Sequence, residues 1–408
     1  MPATAGGDEL DRLLAAAEAG ALIVVGHGGG DPDLARYAGA AKLGDAFVVV
    51  PRGGAPRLGY FPPMERDEAA ATGLELLDPE ALDVARWARD GASASATLAG
   101  VLARALQLAG VGPGRVALAG SWPAGPLVEA AGRLAADGWL AISGNEIALR
   151  LRKAKTAEEL AEIRRVSAIT GEAFRRVAAL LAEAEVRSGE LWLEGEPLRV
   201  ARLKAEVARW FAAAELSQPR GNILAPAEEG GVPHSSGTPE RILRAGKSLV
   251  VDLFPKGRLF SDCTRTFCVG EPPPALAAAH AATLDALRLA HAGALAGARG
   301  WELQEGVCRL FAECGYATPI SQPGTLSGYV HGLGHGVGHE LHEYPSFKQP
   351  AAEEGWLAVG DVLTLEPGLY DPAPDGYGVR LEDLVHLAES GAENLTPLPY
   401  ALDPRAWR

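Results

Sequence analysis

The sequence is short of cysteine, of positive charge and of any long apolar run, and each shortage closes off a class of function. Its four cysteines, Cys263, Cys268, Cys308 and Cys314, form no C-x-x-C pair, so neither a zinc knuckle nor a dithiol redox motif is on offer. Cys263 and Cys268 share one segment, and an extended strand turns them to opposite faces. Reduced, buried thiols follow, as expected of a cytoplasmic protein. Lys and Arg total 38 against 52 Asp and Glu, a formal net charge of −14. No basic stripe remains to grip a phosphate backbone, so nucleic acid is not an expected partner. No apolar stretch approaches the ~20 residues that span a bilayer, and residues 1–10 are Gly/Ala-rich and acidic, without the basic start of a secretory leader. Neither a membrane nor a leader is expected.

What is present suits a globular enzyme: 408 residues, 48% hydrophobic and 22% charged, long enough for two domains. Over 1–152, short apolar strands at 21–25, 47–50 and 116–119 alternate with Ala-rich helical segments, which predicts an α/β domain. A helix is expected over 8–19, stopped by Gly20. Gly26-His27-Gly28-Gly29-Gly30-Asp31 lacks both the G-x-G-x-x-G and the Walker spacing and reads as a glycine turn. The seam falls at 153–159. Thr156-x-x-Glu159 has capping-box spacing and opens a helix with Leu160, Ile163, Val166, Ile169 and Val177 on its apolar stripe. The second domain, 153–408, should carry further helices over 274–298 and 302–314, the latter closed by Gly315.

That second domain contains a repeat. Gly246-Lys247-Ser248-Leu249-Val250-Val251-Asp252 and Gly360-Asp361-Val362-Leu363-Thr364-Leu365-Glu366 share the pattern G-x-x-L-x-x-[DE]. Each is followed by a second acid: Asp262 in Ser261-Asp262-Cys263-Thr264-Arg265-Thr266-Phe267, and Glu382 in Val379-Arg380-Leu381-Glu382-Asp383-Leu384-Val385. Each copy reads as a strand pair with an acid on each strand. Buried carboxylates are costly unless neutralised, and only Arg265 and Arg380 lie close by in sequence. A divalent metal is the missing positive partner, with Asp252, Asp262, His335, Glu366 and Glu382 as candidate ligands.

Taken singly, a strand carboxylate is an ordinary solvated edge residue, and a histidine in a glycine loop, such as His335 or His234, an ordinary surface one. The recurrence of the pattern is what argues for metal. The two-residue strand period places Asp262, Thr264 and Thr266 on one face, and Arg380 with Glu382 on another. The glycines around His335 are expected to admit positive φ and a close approach of backbone to metal or substrate. His339-Glu340-Leu341-His342 looks like a zincin helix but lacks the H-E-x-x-H spacing.

With Val251-Asp252, the segment around Asp262, Gly334-His335-Gly336-Val337-Gly338, Leu365-Glu366-Pro367-Gly368 and Arg380-Leu381-Glu382-Asp383 in view, the chain resembles the creatinase/aminopeptidase, or pita-bread, family of dinuclear metallopeptidases. Within it, the resemblance is to the proline-specific branch of Xaa-Pro aminopeptidases and Xaa-Pro dipeptidases (prolidases). It covers residue 153 to the end; the first 150 or so residues match only in length and α/β character. It implies an N-terminal α/β domain (1–152) and an α+β pita-bread catalytic domain (153–408) with a pseudo-two-fold internal repeat. Asp252, Asp262 and Glu382 would hold one divalent ion, and Asp262, His335, Glu366 and Glu382 the other, with manganese expected first and zinc or cobalt as alternatives.

The implied reaction is hydrolysis of the peptide bond before proline in small peptides, by a hydroxide bridging the two ions. Glu366 would carry the proton to the proline nitrogen. His331, His342 and His234 would contact the scissile carbonyl and the proline side, and Arg380 would support the bridging glutamate. A homodimer is also implied. One position departs from the pattern: many prolidases carry an arginine four residues beyond the position of His342, where this chain has Ser346, with Lys348 the nearest cation. Three other readings compete: a methionine aminopeptidase, a metal-free creatinase-like amidinohydrolase, and an inactive pita-bread binding protein.

Overall fold

A buried strand, β1 (Ala19–Gly26), forms the middle of the first sheet because its residues are apolar on both faces. Leu22 and Val24 pack with Leu10, Leu13 and Leu14 in one core layer, while Ala21, Ile23 and Val25 pack with Leu98, Leu102 and Leu106 in the other. The computed structural model describes residues 5–28, 30–89, 93–347 and 355–407, which form two units, Met1–Arg152 and Lys153–Arg408. In the first unit, β2 (Ala46–Pro51), β3 (Arg57–Tyr60), β4 (Glu75–Leu77), β5 (Gly114–Ser121) and β6 (Trp139–Ser143) join β1 in a six-stranded sheet of order β4-β3-β2-β1-β5-β6. β1, β5 and β6 run parallel and β2 antiparallel to β1. The first helix ends at Ala16 rather than at residue 19. Glu18 turns the chain at φ 53°, and Ala19 is buried as a sheet residue opposite Arg115. Sheet pairing overrides alanine's preference for helix there.

The second unit begins with the helix Ala157–Glu183, whose capping box is complete. Ile163, Val166, Phe174, Val177 and Leu181 form its buried stripe. A small ribbon follows, β7 (Glu185–Arg187), β8 (Glu190–Leu193) and β9 (Glu196–Pro197). Three strands, β10 (Ile223–Pro226), β11 (Ser248–Leu253) and β12 (Cys263–Cys268), form an antiparallel sheet. After the helices Pro274–Gly293 and Gly300–Glu313 come β13 (His335–Gly336), β14 (Glu343–Ser346), β15 (Val362–Leu365), β16 (Gly368–Asp371), β17 (Tyr377–Arg380), β18 (Asp383–Ala388) and β19 (Gly391–Asn394). β16 and β17 make a separate hairpin; the others form a five-stranded sheet of order β14-β13-β15-β18-β19. The helix expected over 274–298 stops at Gly293, where an added Cβ would meet the Leu303 side chain at 2.4 Å.

Two antiparallel pairs, β11–β12 and β15–β18, position the repeated acids, but of the acid expected on each strand only Asp252 lies within one, and Asp262 sits one residue before β12. Asp252 lies opposite Thr264 in the first. In the second, Leu365 lies opposite Asp383, so Glu366 and Glu382 stand just past the paired ends. Arg380 and Glu382 do not share a strand: β17 ends at Arg380 and β18 opens at Asp383, because the intervening hairpin β16–β17 swings away from the main sheet. An isolated bridge, with Glu382 N–H donating to Thr264 O at 3.0 Å, helps to join the two acid-bearing sheets. Cys263 and Cys268 belong to different core clusters, while Cys314 is exposed, unlike the buried thiols expected. No helix among the described residues is long and apolar enough to cross a membrane.

Candidate metal centre

The junction of the two sheets gathers the acids. One ligand atom each from Asp262, His335 and Glu382 lies within 4.8 Å of the others. His335 Nε2 is 3.7 Å from Asp262 Oδ2 and 3.4 Å from Glu366 Oε1. Its Nδ1 lies 3.1 Å from Gly336 O. A carbonyl only accepts, so in the neutral ring Nδ1 holds the proton and Nε2 turns its lone pair toward the two carboxylates.

The glycines beside His335 have a use other than the expected one. Gly334 and Gly336 do not take positive φ; a Cβ at Gly334 would meet Thr364 O at 2.0 Å, and one at Gly336 would meet Tyr344 O at 1.9 Å. Only glycine lets the short strand β13 wedge between its neighbours.

Asp252 reaches the site beside Arg380. Arg380 Nη2 donates to Asp252 Oδ2 at 2.5 Å, and its Nε donates to Thr264 Oγ1 at 3.1 Å. That threonine hydroxyl in turn donates to Glu382 Oε2 at 2.7 Å. Asp252 Oδ1 is buried and has no hydrogen-bond partner among the described residues.

The charge balance is unfavourable. Burial, reinforced by the charges of Glu382, Asp252 and Glu366, pushes the Asp262 carboxyl well above its usual range. Burial, together with Glu366 and Asp252, does the same to Glu382, against a smaller opposing pull from Arg380. Arg380 is the guanidinium whose charge acts on Asp252, Asp262, Glu366 and Glu382. Hard oxygen donors, one imidazole nitrogen and an orphaned carboxylate oxygen fit divalent cations, and Asp252, Asp262, His335, Glu366 and Glu382 are the residues that could hold them.

The three other candidate histidines divide into two groups. His342 is exposed, with its ring centroid 4.2 Å from that of His335 in an edge-on contact. His234, also exposed, lines a cavity of about 310 Å³ together with His342. His331 meets a different neighbour, with Nε2 2.8 Å from the hydroxyl of Tyr370, and that hydroxyl accepts from Arg380 Nη1 at 3.0 Å. Tyr370 is buried, and its pKa is pushed up to about 12 by desolvation, so it remains a donor. Ser346 pairs across β13–β14 with His335; Lys348 lies outside the described residues.

Sequence reasoning missed Tyr370 and Thr364, whose hydroxyl accepts the His335 N–H at 3.1 Å and lies 3.5 Å from Glu366 Oε1. Thr364 sits inside the second repeat, two residues before its acid, and the strand period could have found it. Tyr370 carries no such signal.

Residues 161–389 match the model of metallopeptidase family M24. The Xaa-Pro dipeptidase of Pyrococcus furiosus is 32% identical over 250 residues, 60% of this chain and 64% of that protein's own length. Xaa-Pro aminopeptidase 2 of Streptomyces coelicolor is 30% identical over 283 residues, 63% of this chain and 57% of that protein. The crystal structure of the prolidase from Pyrococcus horikoshii OT3 superposes with a TM-score of 0.74 at 22% identity, covering 98% of this chain and 100% of that one. The fold is therefore the α/β plus pita-bread architecture that the sequence implied. With a family model covering the strands and loops that gather these acids, the chain belongs to metallopeptidase family M24.

Proposed function

We propose that the unit 153–408 hydrolyses the peptide bond preceding proline in small Xaa-Pro peptides, using two divalent ions held by Asp252, Asp262, His335, Glu366 and Glu382. The observation that carries this reading is the buried excess of negative charge around Arg380, with the orphaned oxygen of Asp252 at its edge. Proline specificity is drawn from the relatives named Xaa-Pro dipeptidase and Xaa-Pro aminopeptidase.

When bound, the ions supply Lewis acidity and a water acidified toward neutral pH. The protein's own groups do the rest. Glu366, partly exposed and within reach of the Thr364 hydroxyl, takes a proton from the attacking water and returns it to the proline nitrogen. His342, at the open side of His335, donates to the carbonyl oxygen as charge develops there. His331, oriented by Tyr370 and through it by Arg380, and His234, at the cavity wall, position the proline end. Proline has no N–H, so the docking must rest on such side chains rather than on a strand ladder. Manganese as the resident ion, a homodimer and a cytoplasmic setting belong to the same reading.

The test is metal analysis of the purified protein together with hydrolysis of Ala-Pro, Ala-Pro-Ala, Ala-Ala-Ala and Met-Ala-Ala. Cleavage restricted to the two proline peptides, with divalent metal bound, supports the reading. Preferred release of methionine favours the methionine aminopeptidase alternative, and a protein that binds no divalent metal sinks both.

A further inference from the structure

The cavity beside the metal centre carries a cation that the reaction as described does not use. Its lining includes Arg220, His234, Phe254, Glu340, Leu341 and His342, and its volume is about 310 Å³. Leu341 and Phe254 are buried and give it apolar walls. His342 connects it to His335, and through His335 to the acids. Arg220 is the sole lysine or arginine among these lining residues.

Among the described residues its guanidinium makes one contact with a carboxylate, Nη2 to Glu340 Oε2 at 3.3 Å, with side chains 62% and 33% exposed. A single, long, solvated ion pair of this kind is worth under ~1 kcal/mol, so it holds the arginine in place without committing it. A carboxylate arriving in the cavity can take both edges of the guanidinium fork, a stronger and more directional pairing. Ser346, on the strand paired with His335, has no charge with which to make that pairing.

We propose that Arg220 is a specificity-determining residue that binds a carboxylate of the substrate, so that the preferred peptides are those presenting an acid to this cavity. The proposal rests on the proline-peptidase reading above. The acid has two possible sources, the free C-terminus of an Xaa-Pro dipeptide or the side chain of Asp or Glu before proline, and the chemistry of capture is the same for each.

The test compares the metal-loaded wild type with Arg220→Gln on Ala-Pro against Ala-Pro-amide, and on Glu-Pro-amide against Gln-Pro-amide. The readout is the ratio of kcat/KM for each charged peptide to that for its neutral partner. Arg220 is mostly exposed, so the variant should fold, and an unchanged Tm verifies it. The expected result is a fall in one ratio by roughly tenfold or more, carried by KM. A fall in the Ala-Pro ratio assigns the terminal carboxylate, and a fall in the Glu-Pro-amide ratio assigns the side chain. If both ratios are unmoved while wild type cleaves these peptides, the role of Arg220 is overturned and the proline-peptidase reading stands. If wild type cleaves none of the four, both fall together.

Discussion

His339 Nε2 lies 2.8 Å from Glu159 Oε1, and the other oxygen of that carboxylate accepts the backbone N–H of Thr156 at 2.8 Å. The residue that caps the helix Ala157–Glu183 therefore also holds the segment between His335 and His342. A second tie lies four residues away in each chain segment: the buried pair of Lys155 Nζ and Glu343 Oε1 at 2.6 Å, with neither side chain exposed. The helix start that the sequence shows as a capping box is the anchor of the histidine segment.

Glu159→Ala removes one arm of the capping box, leaving the Thr156 hydroxyl to accept the residue-159 N–H, and strips a buried imidazole of this carboxylate. A cap is worth ~1 kcal/mol and an unsatisfied buried group about 1–3 kcal/mol, so the variant should lose several degrees in Tm. It should also lose turnover, because His342 is no longer held. Glu159→Gln can accept from Thr156 and donate to His339, and should retain most of both. Thermal melts alongside kcat decide it; equal damage from Ala and Gln would assign the tie to charge rather than to hydrogen bonding.

Glu162 gives the pH dependence. Its carboxylate takes two hydrogen bonds from Arg165 and one from the Arg258 N–H, and the Arg165 contact is the main reason that its pKa lies below the usual value. A depressed carboxylate stabilises the fold above its unfolded pKa of about 4.3, and that stability is lost as pH falls through the lower folded value. Glu162→Gln should therefore cost about 1 kcal/mol at pH 7, and the gap to wild type should close below about pH 4. Paired melts at pH 7 and pH 3.5 measure it, and a gap that widens in acid would contradict the assignment.

The acids were legible in the sequence because a carboxylate six positions beyond a glycine in an apolar run is anomalous twice over, and the anomaly repeats. The sheet of the first unit was legible from β1, β2 and β5, whose buried runs are apolar on both faces. Its first helix ends earlier than the local periodicity predicts, since Ala19 and Gly20 join a strand for reasons that lie with Arg115, far along the chain. Tyr370 was invisible for a related reason. Its hydroxyl meets Arg380 only because the register of β16 on β17 sets Gly368 opposite Arg380, and a Cβ at Gly368 would meet that hydroxyl at 2.4 Å. Local periodicity cannot report a contact made by strand register.

Tyr370→Phe tests that contact. It deletes the donor to His331 Nε2 and one acceptor of Arg380 Nη1, which keeps its contact with Pro233 O at 3.3 Å. The ring packing remains. Loss of a buried hydrogen bond of this kind costs about 1–3 kcal/mol, and if it acts on His331 alone the kcat should fall roughly tenfold or more with the metal content unchanged. Metal analysis beside steady-state kinetics checks it; metal loss would mean that Tyr370 serves Arg380 and Asp252 first.

The final prediction separates the histidines by role. His335 Nε2 faces Asp262 and Glu366 with its lone pair, so His335→Ala should lose metal, and with it the neutralisation of Asp262 and Glu382. His342 stands edge-on to His335 and His331 meets Tyr370, which places both beside the proposed ligand set; their alanine variants should keep the metal and lose turnover. Chelation of wild type sets the scale. An ion that binds only the folded chain at about a thousandfold excess over its Kd adds about 4 kcal/mol, so stripping it should lower Tm by several degrees. His335→Ala should start at the chelated Tm and respond little to chelator. His342→Ala and His331→Ala should start near wild type and fall with it. Metal loss from His342→Ala equal to that from His335→Ala would show that His342 belongs among the metal-holding residues and that its place at the carbonyl is wrong.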